Sequence, residues 1–137
     1  MEKILILVID TKTSEDWMES CIDMLHCFKP SVQIISPIDR HAVTRIASNE
    51  GIREAEVRDR MLHETYMYLY HLEDTFNKQG LQVNIAAREM SLPEDLITEL
   101  RKKNAGMLVV VGKIEPTILE SLYSLLHIPI LLLPHEE

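Results

Sequence analysis

Glycine is scarce in this sequence: there are four, and Gly112 is the last of them. The scarcity matters because Leu108-Val109-Val110-Val111-Gly112-Lys113 reads as a buried strand ending in glycine. In many α/β proteins a backbone loop starts at such a point and cradles a ligand's phosphates. With no glycine beyond Gly112, that loop lacks its usual material. Cysteine is scarce too. Cys21 and Cys27 lie six apart on a predicted helix, a spacing that suits neither a helical disulfide nor a zinc clip. Both are expected to be buried free thiols, which points to a reducing, cytoplasmic home. Basic residues are outnumbered, 14 against 22 acidic ones, for a net charge of -8. A surface of that sign repels phosphate backbones, so nucleic acid is not expected as a partner. Arg101-Lys102-Lys103 is the longest basic run and does not reverse that balance. No apolar run approaches the roughly 20 residues of a membrane span. Ile4 to Ile9 starts too close to Met1, and is too short, to be a secretion signal.

What is present reads as one soluble domain, 1–137, at 46% hydrophobic and 26% charged residues. Lys3 to Ile9 is a continuous β-prone apolar run, as in a strand buried on both faces. Thr13 or Ser14 would cap a helix with the stripe Trp17, Cys21, Leu25 and Phe28, ended by Pro30. Val32 to Ile35 is a second strand, closed by Pro37. Residues 38–51 fit no single pattern. A long helix then runs from about Arg53 to Lys78, with Leu62, Tyr66, Leu69, Leu72 and Phe76 on its core face and Gly80 as its stop signal. Leu81 to Ala87 is a third strand. Ser91-Leu92-Pro93-Glu94 has the form of a capping box, with Ser91 as N-cap and Glu94 reaching back. Leu96, Ile97 and Leu100 are the core positions of the helix that follows. Met107 to Val111 is the fourth strand, Pro116 to His127 a helix on Ile118, Leu119, Leu122, Leu125 and Leu126, and Ile130 to Leu133 the fifth strand.

Strands alternating with helices imply a doubly wound, five-stranded parallel sheet with helices on both faces, Rossmann-like. Ligands in such sheets sit beyond the carboxyl ends of the strands where the order reverses. With the first and fourth strands as neighbours, in the order 3-2-1-4-5, Asp10, Thr11 and Lys12 would line one side of that crevice. Gly112 and Lys113 would line the other.

At these residues the chain resembles the universal stress protein family over nearly its whole length. The likeness rests on the strand ending in Asp10, the long second helix, the Pro93-Glu94-Asp95-Leu96-Ile97 helix start, and the closing strands Met107 to Gly112 and Ile128 to Leu132. One branch of that family binds ATP through Gly-x2-Gly-x9-Gly-Ser/Thr after the fourth strand. Here only Gly112 matches, position 115 is Glu, and Pro129 comes seventeen positions after Gly112, fewer than the motif and its helix occupy. A carboxylate in a phosphate pocket is repulsive. The family also holds adenine through backbone groups just after the second strand, at about Pro37 and Ile38, and proline has no N–H to donate. Asp10 matches the family's acidic residue near adenine and ribose. The resemblance therefore implies a vestigial pocket at Asp10, Thr11, Ile38, Gly112 and Lys113, with no cofactor expected and ATP or AMP as the alternative. It also implies a homodimer through the last strand, Ile130, Leu131, Leu132 and Leu133. Four large aliphatics at a sheet edge are an aggregation risk unless covered.

Other constellations fall short. Asp10 lacks the paired acids, the third-strand aspartate and the late lysine of a phosphoacceptor domain. His63-Glu64 opens like a helical zinc motif, but Met67 stands where the second His is required. His63 and His71 lie about two turns apart, and no metal site is expected. No Gly-x-Ser-x-Gly elbow is present. On the long helix Met67 faces away from the Leu62/Leu69/Phe76 stripe with Tyr70 at its margin, either as isolated surface residues or as a contact for a protein partner. The expectation is a non-enzymatic, cytoplasmic regulatory or interaction module in stress response. Two alternatives use a rebuilt pocket at the ends of strands 1 and 4: an adenine-nucleotide-binding protein or a sensor of a less charged ligand.

Overall fold

The computed structural model describes residues 3–11 and 16–133. Along the chain these form β1 (Lys3–Val8), α1 (Trp17–Phe28), β2 (Ser31–Asp39), α2 (Arg40–Glu50), α3 (Glu54–Lys78), β3 (Val83–Met90), α4 (Glu94–Lys103), β4 (Ala105–Val111), α5 (Pro116–Leu125) and β5 (Ile130–Leu133). All strands pair in parallel, in the order β3-β2-β1-β4-β5. This is the doubly wound sheet that the alternation of elements implies.

The central strands show why their sequences are apolar from Ile4 to Val8 and from Ala105 to Val111. Successive side chains of a strand point to opposite faces. In β1, Ile4, Ile6 and Val8 enter one core with α1 and α3, while Leu5 and Leu7 enter a second core with α4 and α5. β4 divides the same way, Val109 and Val111 against Leu108 and Val110. A strand with two buried faces has no position left for a polar side chain.

The long helix is α3, 25 residues, or about 37 Å at 1.5 Å per residue. Leu69, Leu72 and Phe76 are fully buried, with Leu62 and Tyr66 packed partly against the same core. It ends in a Schellman motif: Leu81 N–H donates to the Phe76 carbonyl and Gly80 N–H to that of Asn77, both at 3.0 Å, with Gly80 at φ 80. That motif ties Leu81 to the helix end, so β3 starts at Val83 rather than Leu81 and continues to Met90, past the expected Ala87.

Other expectations are corrected at the ends of elements. β2 does not stop at Pro37. It pairs with β3 as far as Asp39↔Met90, while its pairing with β1 ends at Leu7↔Ile35. Pro37 thus sits where β1 has already ended, and its missing N–H breaks no ladder there. The ambiguous 38–51 segment is the end of β2 followed by α2. Asp39 caps α2 by accepting from His41 N–H at 2.9 Å, and Gly51, at φ 67, closes it. Ser91 is not the N-cap of α4. The reciprocal pair is Ser91 with Asp95, whose carboxylate accepts from Ser91 N–H at 2.7 Å while Asp95 N–H donates to the Ser91 carbonyl. In α1 the buried stripe stops at Leu25, a turn before the helix does, and Phe28 is exposed. Cys21 is buried but Cys27 is exposed. α5 ends at Leu125 rather than His127: Leu126 turns extended and takes the core position, leaving Leu125 outside. The proposed caps Thr13 and Ser14, and Pro134, lie outside the described residues.

Candidate functional site

Beyond the carboxyl ends of the strands lies a crevice of about 560 Å³, lined by residues from the ends of β1, β2 and β3 and from the starts of α2, α4 and α5. Its apolar side is Ile9, Pro37, Met90, Leu92 and Ile118. Its charged side is Asp39, Glu94 and Glu115 against Arg40 and His41. The volume lies within the range of small-molecule sites.

Each carboxylate has a particular place. Asp39 is the N-cap of α2, Glu94 is the first residue of α4, and Glu115 is the N-cap of α5 with Pro116 behind it. A helix N-terminus carries unpaired N–H groups and about half a positive charge, which makes it an anion site in many α/β proteins. Here each of the three that reach the crevice already has an acidic side chain of this chain beside it. Thr117 adds a hydroxyl to Glu115 at 3.3 Å. Arg40, a cation at the rim, leans towards Glu89 at 3.9 Å. Glu89 in turn accepts from Arg58 at 2.9 Å.

The residues expected to form the pocket are only partly brought together. Asp10 and Thr11 come after Ile9 at the end of β1 and are half-buried; Gly112 and Lys113 follow β4. The Ile9 N–H donates to the Val111 carbonyl at 2.9 Å, so the two loops leave the sheet side by side. Gly112 has φ 107, a conformation open to glycine and costly for other residues. Ile38 is buried in a separate cluster with Val43, Ala47 and Val57, under α2 and α3. Lys12 lies outside the described residues. Pro37 and Glu115, the two departures from the resembled pattern, both line the crevice. Sequence reading missed Asp39, Arg40 and His41 because the 38–51 segment has no clear period. The Asp39 cap pattern was the available signal. Among the described residues no group of three His, Cys, Asp or Glu could hold a metal ion. Among the described residues no helix is long and apolar enough to cross a membrane.

No protein-family model matches the chain, and comparison with the curated proteins finds no match. Solved structures do match. A universal stress protein family member from Burkholderia pseudomallei superposes with a TM-score of 0.74 at 15% identity, over 97% of this chain and 96% of that one. A universal stress protein from Lactobacillus plantarum gives 0.73 at 5% identity, over 97% and 98%. A universal stress protein solved in complex with cAMP gives 0.62 at 11% identity, over 98% of each chain. The sheet order and crevice thus define an α/β protein with the fold of the universal stress proteins. At these identities the likeness is one of fold.

Proposed function

We propose that this chain is a non-enzymatic module of universal-stress-protein type, regulatory or adaptor-like in stress response, whose crevice no longer takes a nucleoside triphosphate. The observation that carries the reading is the placement of Asp39, Glu94 and Glu115 at the three helix N-termini of the crevice. A triphosphate entering there would meet carboxylates in the positions where backbone N–H groups should receive it. Pro37 supplies no N–H on the adenine side, and only Gly112 remains of the glycine pattern. Those residues do not fit ATP, so no catalytic step is assigned to it.

The same reading makes the module a cytoplasmic homodimer joined through β5. That strand lies at a sheet edge, and Leu132 is 45% exposed. A second reading has one observation in its favour. The crevice keeps an apolar side made by Ile9, Pro37, Met90, Leu92 and Ile118, which suits a ligand with a flat or aliphatic body and little negative charge.

Thermal denaturation with ATP, AMP, cAMP and adenosine tests both. A ligand present at a hundred times its dissociation constant stabilises by about 2.7 kcal/mol. No shift with any of the four supports the first reading. A shift with adenosine alone supports the second, and a shift with ATP overturns the proposal.

A further inference from the structure

Strand β3 forms the sheet edge opposite β5. An edge strand presents unpaired N–H and C=O groups to any other extended chain, and proteins usually blunt it. β3 pairs with β2 along its entire length, Val83 to Met90. In a parallel ladder, alternate residues turn their backbone groups to one neighbour and then to the other. The Ala87 N–H donates to the hydroxyl oxygen of Tyr66 at 3.1 Å, so that donor faces away from β2. Tyr66 comes from α3, is half-buried, and meets the ring of Tyr70 at 5.9 Å. The next two residues of β3 are held across both faces of the sheet. Arg88 pairs with the buried Glu99 of α4 at 2.9 Å, and Glu89 with Arg58 of α3 at 2.9 Å.

We infer that Tyr66 closes the β3 edge against strand addition, leaving β5 as the sheet's open edge. The excluded partner is an extended segment, above all a second copy of this chain. The hydroxyl supplies the acceptor that an incoming strand's carbonyl would otherwise provide, and the ring, packed partly against the α1 and α3 core, holds it there. The inference concerns β3 alone and stands whether or not β5 makes a dimer.

Two variants test it. Tyr66→Phe keeps the ring and removes the acceptor, so the Ala87 amide should exchange with solvent about fivefold to tenfold faster, as expected for one lost hydrogen bond. Tyr66→Ser removes the ring as well. Light scattering should then show species growing with concentration beyond those of the wild type. Ile85 lies two residues before Ala87, so its N–H faces the same way, and a proline there removes a donor from the open side. Adding Ile85→Pro to Tyr66→Ser should return the wild-type masses. Unchanged Ala87 exchange in Tyr66→Phe would overturn the inference, as would a folded Tyr66→Ser chain with wild-type masses throughout. Growth that persists with Ile85→Pro would also overturn it, by showing association through an apolar patch. If Tyr66→Ser does not fold, the exchange of Ala87 in Tyr66→Phe decides alone.

Discussion

The hydroxyl of Ser36 donates to the carbonyl of Val8 at 2.9 Å, and Ser36 is 2% exposed. The bond joins β2 to the last residue of β1, one position before the proline that can supply no N–H. A side chain thus completes the connection between the two strands whose ends border the crevice. Replacing Ser36 with alanine would leave the Val8 carbonyl without this donor in a buried setting. The expected cost is about 1–3 kcal/mol of stability, read as a lower urea midpoint with an unchanged denaturant slope. A midpoint equal to that of the wild type would show that another group can serve Val8.

The carboxylates at the three helix starts make a prediction opposite in sign to most mutations: a gain of binding. Asp39 also caps α2 and is best left in place. Glu94→Gln with Glu115→Gln removes two negative charges from the crevice while keeping side-chain size. Two unit charges 4 Å apart in water interact by about 1 kcal/mol. The double variant should therefore bind ATP on the order of tenfold or more tighter than the wild type, a gain that shrinks as salt is raised because screening weakens the repulsion in the wild type. Isothermal titration across a salt series checks this. Equal affinities would mean that the missing glycines, not the acids, exclude the triphosphate.

Burial gives Cys21 a measurable pH signature. Its thiol is 1% exposed, and desolvation pushes its pKa up to about 12, whereas an unperturbed thiol titrates at about 8.5. Between those values the folded chain holds a proton that the unfolded chain has released. Stability from this group is therefore complete below about 8.5 and falls with rising pH across that window, by about 1.4 kcal/mol per unit. Denaturation of wild type and Cys21→Ala between pH 8 and 10 isolates the effect, since the variant should lack that component of the slope. Iodoacetamide should label exposed Cys27 in the native protein and reach Cys21 only on unfolding.

The sheet and its order were legible because β1 is apolar from Ile4 to Val8 and β4 along its whole length, a pattern that suits strands buried on both faces. The long helix was legible through its 3.6-residue period and the Gly80 stop. The crevice was less so. Its charged residues lie at helix starts, where capping depends on the path of one or two residues. Ser91 and Glu94 matched a capping box in spacing, yet Asp95 makes the bond because the helix begins at Glu94. Asp39, Arg40 and His41 sit where β2 passes directly into α2 with no loop between them, and a strand that runs through a proline carries no alternation to announce its end. Pro37 and Glu115 were readable as departures from a resembled pattern, and both line the crevice.

The two edges of the sheet differ in what covers them, and the difference makes β5 the place to look for self-association. At β3, Tyr66 and two ion pairs tie the strand to its own helices. At β5 the side chains are aliphatic and divided between faces. Leu131 and Leu133 pack partly against the α1 and α3 core, Ile130 partly against the α4 and α5 core, and Leu132 remains 45% exposed. Tyr123 and Leu125 of α5 are exposed as well, at 52% and 50%. A four-residue parallel edge with that composition gains from pairing with a second copy and loses little water-facing polar surface in doing so. Leu132→Lys should leave the fold intact, since the side chain is already partly in solvent, but should place a charge in the pairing surface. Light scattering at micromolar concentration should report a dimer for the wild type and a monomer for the variant. A wild-type monomer at that concentration would remove the β5 dimer, and a dimeric Leu132→Lys would move the interface elsewhere.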